Sequence, residues 1–195
     1  MEISENLTSF LYEHKTAINS CEFSTIYDDL INNYYPSDVS VRSVTDVFLA
    51  AGIYPIKHMT YVPSHYLNRC RITSEAKFEI PDHITRIGIR AFCDCELKEI
   101  AVPEGVTKIA RSAFSQNPNM QKIWLPSTLE QLNGYLFLGN HNMKEIIYNG
   151  TVEQWENIDK HSHWFSSGAS IEESNCIIYC KDARIVISTQ EVIYG

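Results

Sequence analysis

The chain has 195 residues, of which 44% are hydrophobic and 21% are charged, and its formal net charge is −8 at pH 7. This composition is that of a folded protein rather than a disordered one, and the acidic balance argues against a strongly basic nucleic-acid binder. The longest uninterrupted apolar stretch, Val47–Ile53, is far shorter than the roughly 20 residues of a membrane-spanning helix. Residues 1–5 lack the basic start and apolar stretch of a secretion signal, so we expect a soluble, cytoplasmic protein.

Residues 1–60 are predicted to be helical, because their apolar residues recur at helical spacing. The pattern indicates one helix over about residues 4–19, a second after the candidate N-cap Ser24, and a third over about residues 41–51. Three short helices could form a DNA-reading motif, but this segment carries eight acidic and only three basic side chains. The sequence therefore favours a helical cap on the open end of the repeats that follow.

An internal repeat occupies the middle of the chain, with a period of 22 residues and then 23. Each unit has a short apolar strand ending at proline, then an apolar pair, then a phenylalanine preceded by a small or apolar residue. In order, these positions are Phe78–Pro81, Ile84, Ile87 and Phe92; Ile100–Pro103, Val106, Ile109 and Phe114; Ile123–Pro126, Leu129, Leu132 and Phe137. A further unit begins at Ile146, and an irregular one precedes the first at Tyr61. Such a fixed period predicts a solenoid of stacked turns.

The repeat resembles the BspA-like branch of the leucine-rich repeats, whose unit reads roughly L-x-x-I-x-I-P-x-x-V-x-x-I-x-x-x-A-F-x-x-C. The clearest copy is residues 97–114, and the Cys/Asn position of that pattern falls on Cys95, Asn117 and Asn140. The resemblance covers about residues 61–187 and implies a leucine-rich-repeat solenoid. Many BspA-like proteins are secreted adhesins with long arrays, whereas short, unexported versions with a helical N-terminal segment resemble proteins encoded by bacteriophages.

The three residues at the Cys/Asn position are predicted to occupy equivalent turns, stacked in register. A side chain there can hydrogen-bond backbone groups that the turn leaves unpaired, which explains its recurrence without any catalytic role.

The segment after the repeats is predicted to close the solenoid. Thr151 and Gln154 fit a capping box, so a short helix carrying Trp155 is expected. Residues 175–180 and 184–187 flank a Lys-Asp-Ala turn and indicate a β-hairpin. All six cysteines are expected to be free thiols, because a cytoplasmic protein lies in a reducing compartment.

No catalytic, cofactor-binding or metal-binding residue is predicted, since the sequence contains none of the common catalytic or phosphate-binding motifs. The nearest candidates for chemistry are His161 and His163, whose rings could face one ion, and Cys176 and Cys180. A metal- or thiol-dependent enzyme using this region is the first alternative function. The second is an acidic nucleic-acid mimic, although −8 is a mild excess of negative charge for this length.

Together these features predict an α+β protein with a helical cap at residues 1–60 and a leucine-rich-repeat domain at residues 61–195. That domain is expected to contain about four units of 22–23 residues in one continuous sheet, closed by the C-terminal hairpin. The predicted function is non-enzymatic protein binding, in the form of a bacteriophage protein that inhibits or redirects a host protein in the host cytoplasm. No cofactor, nucleic acid or membrane is expected among its partners.

Alternation along each strand separates inward from outward side chains. The predicted inward set is Leu97, Ile100, Val102, Met120, Ile123, Leu125, Met143, Ile146 and Tyr148, and the predicted binding residues are Lys77, Glu79, Glu99, Ala101, Lys122, Trp124, Glu145 and Ile147. Ala101, Trp124 and Ile147 would lie side by side at steps of about 4.8 Å, flanked by a charged row, as in a binding hot spot with a polar rim. Alternatively, the helical cap, the C-terminal segment or a second copy of the chain covers this apolar stripe.

Overall fold

The computed structural model describes residues 60–62, 66, 79–166 and 175–195. The chain divides into two units, Met1–Thr60 and Tyr61–Gly195, and the fold described below is that of the second. The predicted helical cap over residues 1–60 lies outside the described residues. Within the described part of the chain, no helix has the length and apolarity needed to cross a membrane.

The repeats wind into a solenoid with a sheet on each of two sides. The first sheet consists of parallel strands in the order β1 (Tyr61–Val62), β2 (Arg86–Ile87), β4 (Lys108–Ile109), β6 (Gln131–Leu132) and β8 (Asp159–Lys160). The second runs in the order β3 (Glu99–Ala101), β5 (Lys122–Leu125), β7 (Glu145–Tyr148), β9 (Ile177–Tyr179), β10 (Ala183–Val186) and β11 (Glu191–Tyr194). Three successive turns, β3–β4, β5–β6 and β7–β8, each contribute one strand to each sheet.

Two predictions about architecture need correction for the described residues. These residues are mostly sheet and contain a single short helix, α1 (Val152–Glu156), so they do not show the predicted α+β class. The repeats also form two sheets instead of one continuous sheet. The strands of the first sheet are only two residues long, which is too short for an alternating pattern to reveal them.

The core lies between the two sheets and contains the whole predicted inward set, every member of which is at most 6% exposed. Phenylalanines from consecutive turns pack against one another in its interior. The rings of Phe92 and Phe114 are stacked with centroids 5.5 Å apart, and Phe137 contacts Phe165 at 5.9 Å. Because each turn places the same residue at the same position, the aromatic contacts are repeated along the solenoid axis.

The predicted stacking of Cys95, Asn117 and Asn140 is confirmed. Asn117 Oδ1 accepts hydrogen bonds from the backbone N–H groups of Cys95 and Leu97, both at 3.0 Å. One turn later, Asn140 Oδ1 accepts from the backbone N–H of Asn117 at 2.8 Å. Each buried amide therefore joins its own turn to the preceding one, and the side chains form a continuous polar column inside the protein.

The predicted closure is also confirmed. Thr151 and Gln154 form the capping box of α1, with Thr151 accepting from the Gln154 backbone and Gln154 accepting from the Thr151 backbone. β9 and β10 form the antiparallel hairpin, with Ile178 opposite Ile185. A further antiparallel strand, β11, pairs with β10 and was not predicted.

Candidate protein-binding face

The predicted binding residues on β3, β5 and β7 lie in two parallel rows on one side of the second sheet. The strand register aligns Glu99, Lys122 and Glu145 in one row, and Ala101, Trp124 and Ile147 in the other. This placement follows from alternation, because the residues between them point into the core. Of the two remaining predicted residues, Glu79 is exposed, whereas Lys77 lies outside the described residues.

Lys122 connects the charged row to the tryptophan. Its ammonium nitrogen lies 2.5 Å from Glu145 Oε2 and 5.4 Å from the centroid of the Trp124 ring. The hydrogen bond to Glu145 raises the pKa of Lys122 against the smaller opposing effect of desolvation, and the negative charge of Glu99 raises it further. Lys122 therefore stays protonated, and it shields only part of the half-buried indole.

The same side of the sheet extends beyond the predicted residues onto the C-terminal strands. Ile177 lies next to Glu145, and Tyr179 next to Ile147. Val186, Arg184, Ile193 and Glu191 continue the two rows across β10 and β11. We call the outward residues of β3, β5, β7, β9, β10 and β11 the outer face. Tyr179 thus lengthens the apolar stripe by one strand before the row reaches Arg184, and residues 175–195 lie beside the stripe rather than covering it.

The loops at the carboxyl ends of β3, β5 and β7 are joined by a carboxylate. Glu104 accepts hydrogen bonds from the Asn149 side chain at 2.5 Å and from the backbone and hydroxyl of Ser127 at 3.2 and 3.0 Å. Burial alone would raise the pKa of Glu104, but these hydrogen bonds lower it. Three consecutive turns are therefore held together at one border of the outer face.

The residues proposed for the alternative enzyme site are distributed over both sheets. His161 follows β8 in the first sheet, whereas Cys176 and Cys180 flank β9 in the second. His161 Nδ1 accepts the backbone N–H of His163 at 3.1 Å, and the His163 ring stacks on Tyr135 with centroids 5.7 Å apart. No group of three or more potential metal ligands occurs among the described residues.

The two thiols of that region are in environments that favour the protonated form. Burial, with a smaller contribution from Glu145, raises the pKa of Cys176 to about 12. Burial and the charge of Asp182 raise the pKa of Cys180 to about 11. A nucleophilic cysteine needs the opposite shift, because the thiolate is the reactive species. Neither thiol is therefore prepared for nucleophilic catalysis.

The reactivity of Cys180 provides a direct test of this environment. At about pH 8, iodoacetamide should modify Cys180 in the folded chain about 100-fold more slowly than in the urea-unfolded chain, since its pKa is raised from 9.0 to about 11. Mass spectrometry of the peptide containing Cys180 measures both rates. Rapid modification of the folded chain at neutral pH would contradict the structure and strengthen the thiol-enzyme alternative.

The raised pKa values of Cys176 and Cys180 also determine how the free energy of unfolding depends on pH. The folded-state pKa values of Cys176 and Cys180 lie above the ordinary value of 9.0, so folding favours the protonated thiols. Their contribution to stability is complete below about pH 9 and is lost as the pH rises toward 11 to 12. The free energy of unfolding should therefore fall over that alkaline range.

Comparison with known proteins agrees with the repeat architecture. A family model described as the BspA type leucine rich repeat region matches residues 60–181 in six copies. No curated protein matches the chain. Among solved structures, a leucine rich cell surface protein from Faecalibacterium prausnitzii A2-165 is similar, with 24% identity and a TM-score of 0.43. The match covers 54% of this chain and 34% of the cell surface protein. This chain therefore spans about one third of the length of that protein.

Proposed function

Because the chain belongs to the BspA-type leucine-rich repeat family, we propose that it is a non-enzymatic protein-binding module that contacts its partner through the outer face of the second sheet. The observation that carries this proposal is the position of Trp124. Its half-buried indole stands between Ala101 and Ile147 in a stripe that parallel strand pairing holds in register. Stacked repeats provide a rigid, extended surface of this kind, and core packing leaves its outward positions free to suit a partner.

The arrangement of residues around Trp124 supports this role. Tryptophan is among the residues most often found at the energetic centre of interfaces, surrounded by contacts that exclude water. Here Ile147 and Tyr179 extend the apolar stripe, while Glu99, Lys122 and Glu145 border it on one side. A partner that covers the stripe would desolvate the indole and would leave the Lys122–Glu145 pair at the polar rim.

We further propose that the chain is a bacteriophage product and that its partner is a host protein, which it inhibits or redirects in the host cytoplasm. Support comes from the resemblance of this short array to such proteins.

The variant Trp124→Ala tests the binding role. We expect affinity for the partner to fall by about 2 kcal/mol, or roughly 30-fold, with little change in melting temperature. The partner is first identified by affinity capture from bacterial lysate and mass spectrometry, and its dissociation constant is then measured with purified protein. Leu138→Ala is the matched control, because Leu138 is a 37% exposed apolar residue outside the outer face.

Two results would contradict the proposal. If Trp124→Ala unfolds early while its folded fraction binds the partner normally, the indole contributes to the stability of the protein and not to its interface. If Trp124→Ala and Leu138→Ala lose affinity equally, the contact surface lies elsewhere. Stoichiometric zinc in the purified protein would instead favour the metal-dependent alternative.

A further inference from the structure

Four exposed cations lie together on the opposite side of the solenoid from the outer face, on two successive turns. Arg86 and Lys108 are neighbours in the register of β2 and β4, on strands about 4.8 Å apart. Arg90 and Arg111 follow in the adjoining loops, where the Arg90 N–H donates to the Arg111 carbonyl oxygen at 3.1 Å. Arg86 and Arg90 are four positions apart in the sequence, so their Cα atoms are at most about 14 Å apart. We call these four residues the cationic face.

The cationic face is a local cluster of positive charge in a chain whose net charge is −8. Residues 84–93 and 105–115, which contain all four cations, include no Asp or Glu, and the carboxylates that border them in the sequence are Asp82, Asp94 and Glu104. Within the described part of the chain, none of the four forms an ion pair. The first carboxylates on the following turns of the first sheet are Glu130 and Asp159, and Asp159 already accepts a hydrogen bond from Gln131 at 2.9 Å.

Two of the three guanidinium groups of the cationic face lie over aromatic rings. The Arg86 guanidinium carbon lies 5.6 Å from the centroid of Tyr61, and that of Arg111 lies 5.1 Å from the centroid of Tyr135. The Tyr135 ring also contacts two histidine rings, that of His163 at 5.7 Å and that of His161 at 6.3 Å between centroids. A guanidinium group uses its planar face in such contacts, which leaves the N–H donors at its edge directed away from the ring. These donors can bind a carboxylate in bidentate geometry without first losing much conformational freedom.

We propose that the cationic face binds an acidic peptide segment of a partner protein, at a surface separate from the outer face. Alternate side chains of an extended peptide lie about 6.8 Å apart, so two or three of its carboxylates can reach cations on adjacent turns. The net charge of −8 repels a long polyanion such as nucleic acid or an anionic membrane. A short acidic segment contacts only the local patch of positive charge.

The test uses the full chain and a dye-labelled oligoglutamate of about eight residues, with binding followed by fluorescence anisotropy. At about 0.01 M salt, where the Debye length is about 30 Å, the wild type should bind the peptide. The triple variant Arg86→Gln, Lys108→Gln, Arg111→Gln should bind it about tenfold more weakly, since each exposed ion pair contributes a factor of a few. The matched control is Lys98→Gln, Lys144→Gln, Lys181→Gln, which removes the same charge from three exposed lysines elsewhere and should change affinity less than twofold.

A second variant separates binding from folding. Arg90→Gln, Lys108→Gln leaves both arginine–tyrosine contacts in place and should still weaken peptide binding about threefold. Equal losses in the two triple variants would overturn the proposal, because general electrostatics would then explain the binding. It would also be overturned if the wild type failed to bind oligoglutamate, or bound oligothymidine or phosphatidylserine vesicles more tightly through the same residues.

Discussion

Replacing Asn117 by alanine should lower the free energy of unfolding by about 4 kcal/mol. The side chain is fully buried, and its oxygen accepts the backbone N–H groups of Cys95 and Leu97. Its nitrogen donates to three backbone carbonyl oxygens at 2.8 to 3.1 Å. Alanine would leave both N–H groups buried without an acceptor, and each such group costs about 1–3 kcal/mol. Urea unfolding followed by circular dichroism measures the loss.

Two further asparagines provide the comparison. Asn140→Ala should be less destabilising, because Asn140 Oδ1 accepts one backbone N–H instead of two. Asn142 is exposed and donates to the Pro118 carbonyl, so Asn142→Ala should change the free energy of unfolding by less than about 0.5 kcal/mol. If Asn117→Ala is no more destabilising than Asn142→Ala, the polar column does not stabilise the solenoid.

Replacing Phe114 by alanine should lower the free energy of unfolding by about 3–5 kcal/mol, the range found for truncating large buried aromatic side chains. The Phe114 ring is fully buried and lies parallel to that of Phe92, with an interplanar angle of 4°. The substitution opens a cavity between neighbouring turns, which are stabilised mainly by their contacts with each other. Chemical denaturation gives the free energy and also shows whether unfolding remains a single transition.

Ile89→Ala is the control for this variant. Ile89 follows β2 in one of the stacked turns but is 46% exposed. Its replacement by alanine should therefore lower the free energy of unfolding by less than about 1 kcal/mol. Similar losses for Phe114→Ala and Ile89→Ala would mean that the aromatic contacts between turns are not a major source of stability.

The sequence predicts the second sheet and the polar column well, because both depend on a residue recurring at one period. The 22- and 23-residue spacings align Cys95 with Asn117 and Asn140, and the structure joins them by hydrogen bonds. Alternation likewise separates the buried Ile123 from Trp124 on the outer face. Both inferences require only local geometry and repetition, which a single sequence contains.

Features that depend on pairing between distant segments could not be predicted in the same way. The parallel pairing of β9 with β7 brings Ile177 beside Glu145, although 32 positions separate them and α1 lies in between. The extension of the outer face onto β9, β10 and β11 therefore has no periodic signal in the sequence. Part of the cationic face does have a periodic signal, because aligning the repeats places Arg86 beside Lys108. The alignment does not reveal that the rings of Tyr61 and Tyr135 contact the guanidinium groups of Arg86 and Arg111.

The change of strand direction in the second sheet has a consequence for the length of the protein. β3, β5, β7 and β9 are parallel, whereas β10 and β11 are antiparallel to their neighbours. A duplicated turn can be inserted into the parallel part, for example as a second copy of residues 118–140 directly after the first. Such an insertion adds one strand to each sheet and preserves the strand pairings on either side of it. No such insertion fits between β9 and β11, where the chain folds back on itself. Gene duplication within the parallel part can therefore lengthen the array, and the closing strands are carried along unchanged as the array grows.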